Sequence, residues 1–203
     1  MATKCLERVV KRNYDQIVDG NCVDIILEYV RTHDDVEEEG VLFIRRLAKV
    51  CSHILRRSSR FNEDDLKRIY GFSLTGAEKT RKMDEEERSI FREAHFLDHA
   101  GDVAMRRFKK SGEVGLCERA YEHRIESVRL IEESDTRGQT VFIRSFAGDA
   151  AVEMFKATGG RGWRQKALDC YEGFLDHFRT NPDPRREDFI LRIREKYEAL
   201  LSA

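Results

Sequence analysis

The 203-residue chain has only two prolines, Pro182 and Pro184, so nothing elsewhere forces a helix to stop or kink. Its five cysteines (Cys5, Cys22, Cys51, Cys117 and Cys170) are odd in number and never form a CxxC pair. That pattern gives no paired-cysteine zinc motif and fits reduced thiols better than a disulfide framework. The thiols read as small apolar residues of a protein in the reducing cytoplasm. Net charge is nearly absent as well: 37 basic side chains against 38 acidic ones give −1. This balance argues against a generic nucleic-acid binder and against an acidic tail. No apolar run of about 18 residues exists, so no membrane span is expected. The opening MATKCLERVVKRNYDQ lacks the core and cleavage site of a signal peptide.

Charge of both signs and helical periodicity are what the chain has in plenty. Charged residues make up 37%, against about 25% in average domains. Apolar residues recur at three- and four-residue steps nearly throughout, the pattern of amphipathic helices. Helices are expected at 3–17, 22–32 and 37–57, then a short one capped by Asn62 and carrying Leu66, Ile69 and Tyr70. Five more are expected at about 84–110, 114–134, 138–157, 163–179 and 185–202. The stretch GFSLTGAEKTRK, with two glycines and little periodicity, suggests a linker at 73–83. It would separate an N-terminal helical region, 1–72, from a second region, 84–203.

Within the second region the chain repeats itself. AGDVAMRRFKKSGEVGLCERA at 100–120 and AGDAAVEMFKATGGRGWRQKA at 147–167 align without gaps at an offset of 47. Nine of the 21 positions are identical: Ala100, Gly101, Asp102, Ala104, Phe108, Lys109, Gly112, Gly115 and Ala120 in the first copy. Chance would give roughly one or two. Such self-similarity marks repeat architecture. Small side chains at 100, 101 and 104 let a second helix approach closely, Gly112 permits the reversal, and Ala120 meets the first helix on the way back. Each copy is therefore a helical hairpin, and hairpins that cannot bury their apolar faces alone stack. The expected fold is all-α: stacked antiparallel hairpins forming a short superhelix or irregular bundle. The final helix, DFILRIREKYEALL, would cap the stack or, if exposed, form a dimer surface. FIRRLA at 43–48 echoes FIRSFA at 142–147, so the N-terminal region is a candidate diverged unit.

The second copy, AGDAAVEMF followed by KALDCYEGFLDHF and then NP, resembles tetratricopeptide-type repeats. The resemblance implies that Ala167 is the helix-packing alanine, Tyr171 the aromatic after it and Pro182 the terminator. It covers about residues 92–182. The period of 47 exceeds the 34 or so of that family, whose first-helix Trp–Leu–Gly–Tyr pattern is absent, and Arg124 stands where the second copy has Tyr171. A longer-period HEAT-like stack fits as well. Grooves of tetratricopeptide type recruit polar residues of their first helices. By that resemblance the groove face of the first unit would include His95, Asp98, Asp102 and Arg106, with Asp149 matched to Asp102.

Other constellations carry less. His95 and His99 have the i, i+4 spacing of a metal chelate. The second copy has Phe142 and Phe146 there, which suits a packed or groove-lining face better. Arg45, Lys49, His53, Arg56 and Arg60 form one basic stripe, either a solvated face answered by acids such as Asp84–Glu87 or a landing strip for phosphate. Gly159, Gly160 and Gly162 lack the strand and GK[ST] of a phosphate loop and read as a turn. No nucleophile stands in a recognisable motif. The expectation is a non-catalytic protein without cofactor that binds a protein or peptide through a repeat groove. The alternative is a nucleic-acid-associated protein docking through residues 45–60.

Overall fold

A computed structural model describes residues 20–33, 36, 39–55, 60–83, 90–133 and 140–202. The helix expected at 3–17, Arg56 and the acidic run Asp84–Glu87 lie outside the described residues. The described residues form helices, with no strand. They are α1 (Gly20–Thr32), α2 (Val41–Leu55), α3 (Glu63–Arg81), α4 (Ile90–Ser111), α5 (Val114–Glu133), α6 (Thr140–Thr158), α7 (Arg161–Thr180) and α8 (Glu187–Ser202). A short 3₁₀ turn, Pro184–Arg186, precedes α8. From α2 onward consecutive helices pack on one another in a hairpin-like stack, and α1 packs on α3, so the fold of the described residues is all-α as expected.

The duplicated sequence is a duplicated hairpin. Helices α5 and α7 are both 20 residues long, and both their first and last residues stand 47 apart. Helices α4 and α6 end at the matched residues Ser111 and Thr158. Gly112 and Gly159 then turn the chain with φ of 72° and 65°. Glycine reaches that region without a Cβ penalty. Their amides donate to the carbonyls of Phe108 at 2.7 Å and Phe155 at 2.8 Å, closing each helix alike.

The small residues do what their spacing suggests. Ala100, Ala104, Ala120, Ala147, Ala151 and Ala167 are all completely buried. A Cβ on Gly101 would stand 2.8 Å from Cγ of Arg124 and 3.1 Å from the Ala120 carbonyl. One on Gly148 would stand 2.6 Å from the Tyr171 ring. Gly115 and Gly162 face open space, and nothing in the packing explains that identity.

The expected linker is helical. Helix α3 starts at a capping box in which Asn62 Oδ1 accepts from the Asp65 amide at 2.8 Å and Asp65 Oδ2 accepts from the Asn62 amide at 3.0 Å. It then runs unbroken to Arg81. The hydroxyls of Ser73 and Thr80 donate to the carbonyls of Ile69 and Gly76, four residues back, so they stay inside the helix. Gly76 is there for closeness, since a Cβ would fall 2.4 Å from the Phe96 ring of α4. A glycine that reads as a break in sequence is a helix crossing in the structure.

Helix α3 also shares a burial register with α5. Buried Asp65, Leu66, Ile69, Ser73, Gly76, Ala77 and Thr80 each precede, by 51 positions, buried Leu116, Cys117, Ala120, Arg124, Ser127, Val128 and Ile131. At the other end, α8 continues the 47-residue register of α6: Phe142 leads to Phe189, Phe146 to Ile193 and Asp149 to Lys196. The positions of Ala147, Gly148 and Ala151 become Arg194, Glu195 and Glu198, all exposed. Thus α8 matches the first helix of a hairpin in register, but the face that in α6 receives α7 is charged and exposed in α8. Phe142, Phe174 and Phe189 hold it down, with ring centroids 5.4–6.0 Å apart. Arg164 fastens its C-terminus by donating to the carbonyls of Leu200 and Leu201.

Candidate partner-binding groove

The site is built on the crossing where small residues of α4 and α6 admit a large side chain from the following helix. In the second hairpin that side chain is Tyr171, fully buried against Gly148. Its hydroxyl donates to Asp149 Oδ1 at 2.6 Å, which pushes the phenol pKa well up, chiefly through burial and then through the Asp149 charge. Lys196 of α8 donates to the same oxygen at 2.7 Å. Asp149 therefore ties α6, α7 and α8 together at one point.

In the first hairpin Arg124 takes the place of Tyr171 and is only 5% exposed. It donates to the Phe146 carbonyl at 3.0 Å and lies over the Phe146 ring. Asp98 and Asp102 stand 3.9 and 3.7 Å from its guanidinium. Arg106 approaches Asp102 at 3.6 Å and donates to the Leu55 carbonyl at the end of α2. The expected groove residues of the first unit thus meet, but around a buried arginine that links α5 to α6. His95 and His99 stack with centroids 6.4 Å apart. Burial depresses the His95 pKa to about 4, with the His99 and Arg45 charges adding to it. Among the described residues no group of three or more His, Cys, Asp or Glu side chains could hold a metal ion.

The described residues hold only part of the basic stripe, since Arg56 and the His53 side chain lie outside them. Arg45 and Lys49 lie on α2 within electrostatic reach of His95. Arg60, just before α3, pairs with Asp24 of α1. The last turn of α4 does more than balance a helix dipole: Arg107 pairs with Glu63 at 2.6 Å and Lys110 donates to the Phe61 carbonyl.

Beside the Asp149 tie, α4, α6 and α8 line a trough of about 550 Å³. Met105, Val152, Phe155 and Leu200 form its apolar floor, and Lys109, Lys156 and Lys196 stand along it. Of the expected site residues, only Asp149 borders it. Sequence reading missed the rest, although Phe108/Phe155 and Lys109/Lys156 are duplicated pairs and the signal lay among the nine identities. Val152 gave none because its counterpart in the first copy is Met105, and Lys196 and Leu200 gave none because α8 departs from the repeat sequence.

Cys51, Cys117 and Cys170 are buried and unbridged, and burial raises their thiol pKa values to about 12, 11 and 11. Among the described residues no helix is long and apolar enough to cross a membrane. No family model matches the chain, and no curated protein matches it. The chain is similar to a crystal structure of a de novo designed helical repeat protein, at 14% identity over 99% of this chain and 95% of that one, with a TM-score of 0.41.

Proposed function

We propose that the chain is a non-catalytic interaction protein, tetratricopeptide-like in plan, that holds a peptide or partner helix in the trough lined by α4, α6 and α8. The observation that carries this reading is the trough itself: an apolar floor beside polar side chains, contributed by the first helices of successive hairpins. The volume suits side chains of a bound segment. The buried, high-pKa thiols supply no reactive nucleophile among the described cysteines. Docking of nucleic acid on the basic stripe has less support, since Arg60 of that stripe is engaged with Asp24.

The test is affinity capture from a native lysate with the wild-type chain and Val152→Arg, each with and without nuclease. Val152 lies on the trough floor and is only partly buried, so arginine there should fill the trough while leaving the melting midpoint nearly unchanged. A nuclease-resistant protein held by wild type and lost by Val152→Arg is the expected result. Capture that nuclease abolishes, or that ignores Val152→Arg, contradicts the reading.

A further inference from the structure

We infer that the trough is made for an acidic segment, an extended stretch of about six residues presenting carboxylates beside apolar side chains. The inference rests on the groove reading above and adds the chemistry of the occupant. Three ammonium groups, Lys109, Lys156 and Lys196, line the trough against two carboxylates, Asp149 and Glu153. Both carboxylates are already engaged: Asp149 by Tyr171 and Lys196, and Glu153 by Lys156 at 2.7 Å. Lys109 has no hydrogen-bond or ion-pair partner among the described residues. One positive charge is therefore left over at the edge of an apolar floor.

The two engaged lysines are also available. Lys156 and Lys196 are 64% and 47% exposed in their pairs. Exposed pairs of this kind are worth about 0–1 kcal/mol, so an incoming carboxylate can take over either lysine. Asp149 is not stranded when Lys196 turns away, because the Tyr171 hydroxyl still donates to it. A cationic segment is disfavoured by the charge imbalance, since three lysines face two acids and Lys109 would repel it.

The span sets the length. Helices α4, α6 and α8 meet through side chains and not by close backbone approach, so their axes stand at the upper end of the about 8–10 Å of packed helices and a crossing from α4 over α6 to α8 covers about 20 Å. At about 3.3 Å per residue an extended chain needs about six residues for that. Alternate side chains would enter the floor between Met105, Val152, Phe155 and Leu200, and the others would carry the carboxylates to the lysines.

The test is selection of a random 12-residue peptide display library on the intact chain at low salt, with Val152→Arg as counter-selection. The expected winners carry two or more acidic residues interleaved with apolar ones. Their affinity should fall about tenfold or more in Lys109→Glu, and steadily as salt rises. Lys109 is exposed, and unchanged helicity of the variant would show that the loss is local. Winners that need Val152 but are basic or uncharged would overturn the acidic inference and leave the groove reading standing. Failure to select any Val152-dependent peptide would overturn both.

Discussion

Where Gly101 faces Arg124 in the first hairpin, Gly148 faces Tyr171 in the second. Both crossings have the same register, the same small residues and the same aspartate one position on. Asp102 stands by a guanidinium as Asp149 stands by a phenol. The repeat therefore preserves a space and an acceptor, and leaves the side chain between them free to change. The change has consequences along the whole first helix. Buried Arg124 draws in Asp98, Asp102 and the Phe146 carbonyl, and the helix face carries histidines at 95 and 99. Neutral Tyr171 asks for one acceptor, and the same face carries Phe142 and Phe146, onto which Phe189 of α8 packs. One junction is held by charge and the other by aromatic rings, and the trough opens beside the second.

The largest effect should come from removing the arginine. Arg124→Ala removes the buried guanidinium beside Asp98 and Asp102 and its bond to the Phe146 carbonyl, leaves Arg106 beside Asp102, and should cost about 3 kcal/mol or more in denaturant unfolding. Arg124→Tyr, which installs the second hairpin's solution in the first, should recover most of it and lie within about 1 kcal/mol of wild type. If both variants lose equally, the two crossings are not equivalent.

A pH titration of stability separates the two faces next. The folded-state pKa of His95 lies at about 4, below its ordinary value near 6.5. The folded protein thus binds this proton less readily than the unfolded chain does. Its share of stability is fully present above pH 6.5 and is lost as pH falls towards 4, on the order of 3 kcal/mol in all. The groups facing the ring are His99, Arg45, Lys49 and Asp98, and only Asp98 favours protonation. His95→Phe, the residue of the second hairpin, should flatten this slope and leave the smaller one due to His123, whose pKa burial also lowers. An unchanged slope would remove His95 from the balance.

Smaller effects should follow the glycines and the tyrosine hydroxyl. Gly148→Ala meets a rigid buried ring and should cost about 2–3 kcal/mol, whereas Gly101→Ala meets mainly the flexible stem of Arg124 and should cost about 1 kcal/mol less. Tyr171→Phe removes one hydrogen bond to a carboxylate that Lys196 still holds. It should lower stability by about 1–1.5 kcal/mol. Chemical-denaturation curves of the three single variants would rank them.

Much of this was legible in the sequence. The 47-residue offset gave the hairpin boundaries, the turns at Gly112 and Gly159, and the roles of Ala100, Gly101, Ala104 and Ala120. Gly71 and Gly76 misled, because a glycine that breaks a helix and one that lets a phenylalanine approach look alike until the neighbouring helix is in place. The site was harder still. Asp102 and Asp149 stand out as matched acids, but only the fold shows that Arg124 and Arg106 approach the one and that Tyr171 and Lys196 donate to the other. The trough joins Lys109 to Lys196 across 87 positions of sequence, on helices of which the last has lost the repeat's small residues, so no local pattern announces it.

The most direct single measurement is an amide chemical-shift titration of the isotope-labelled chain with the tightest peptide from the display selection. Shifts concentrated at Met105, Lys109, Val152, Lys156 and Ala199, and absent in Val152→Arg, are the expected result. Shifts centred instead on Arg45 and Lys49 of α2, or on the outer face of α8 around Leu191 and Leu201, which are 51% and 54% exposed, would contradict the assignment of the trough as the binding surface.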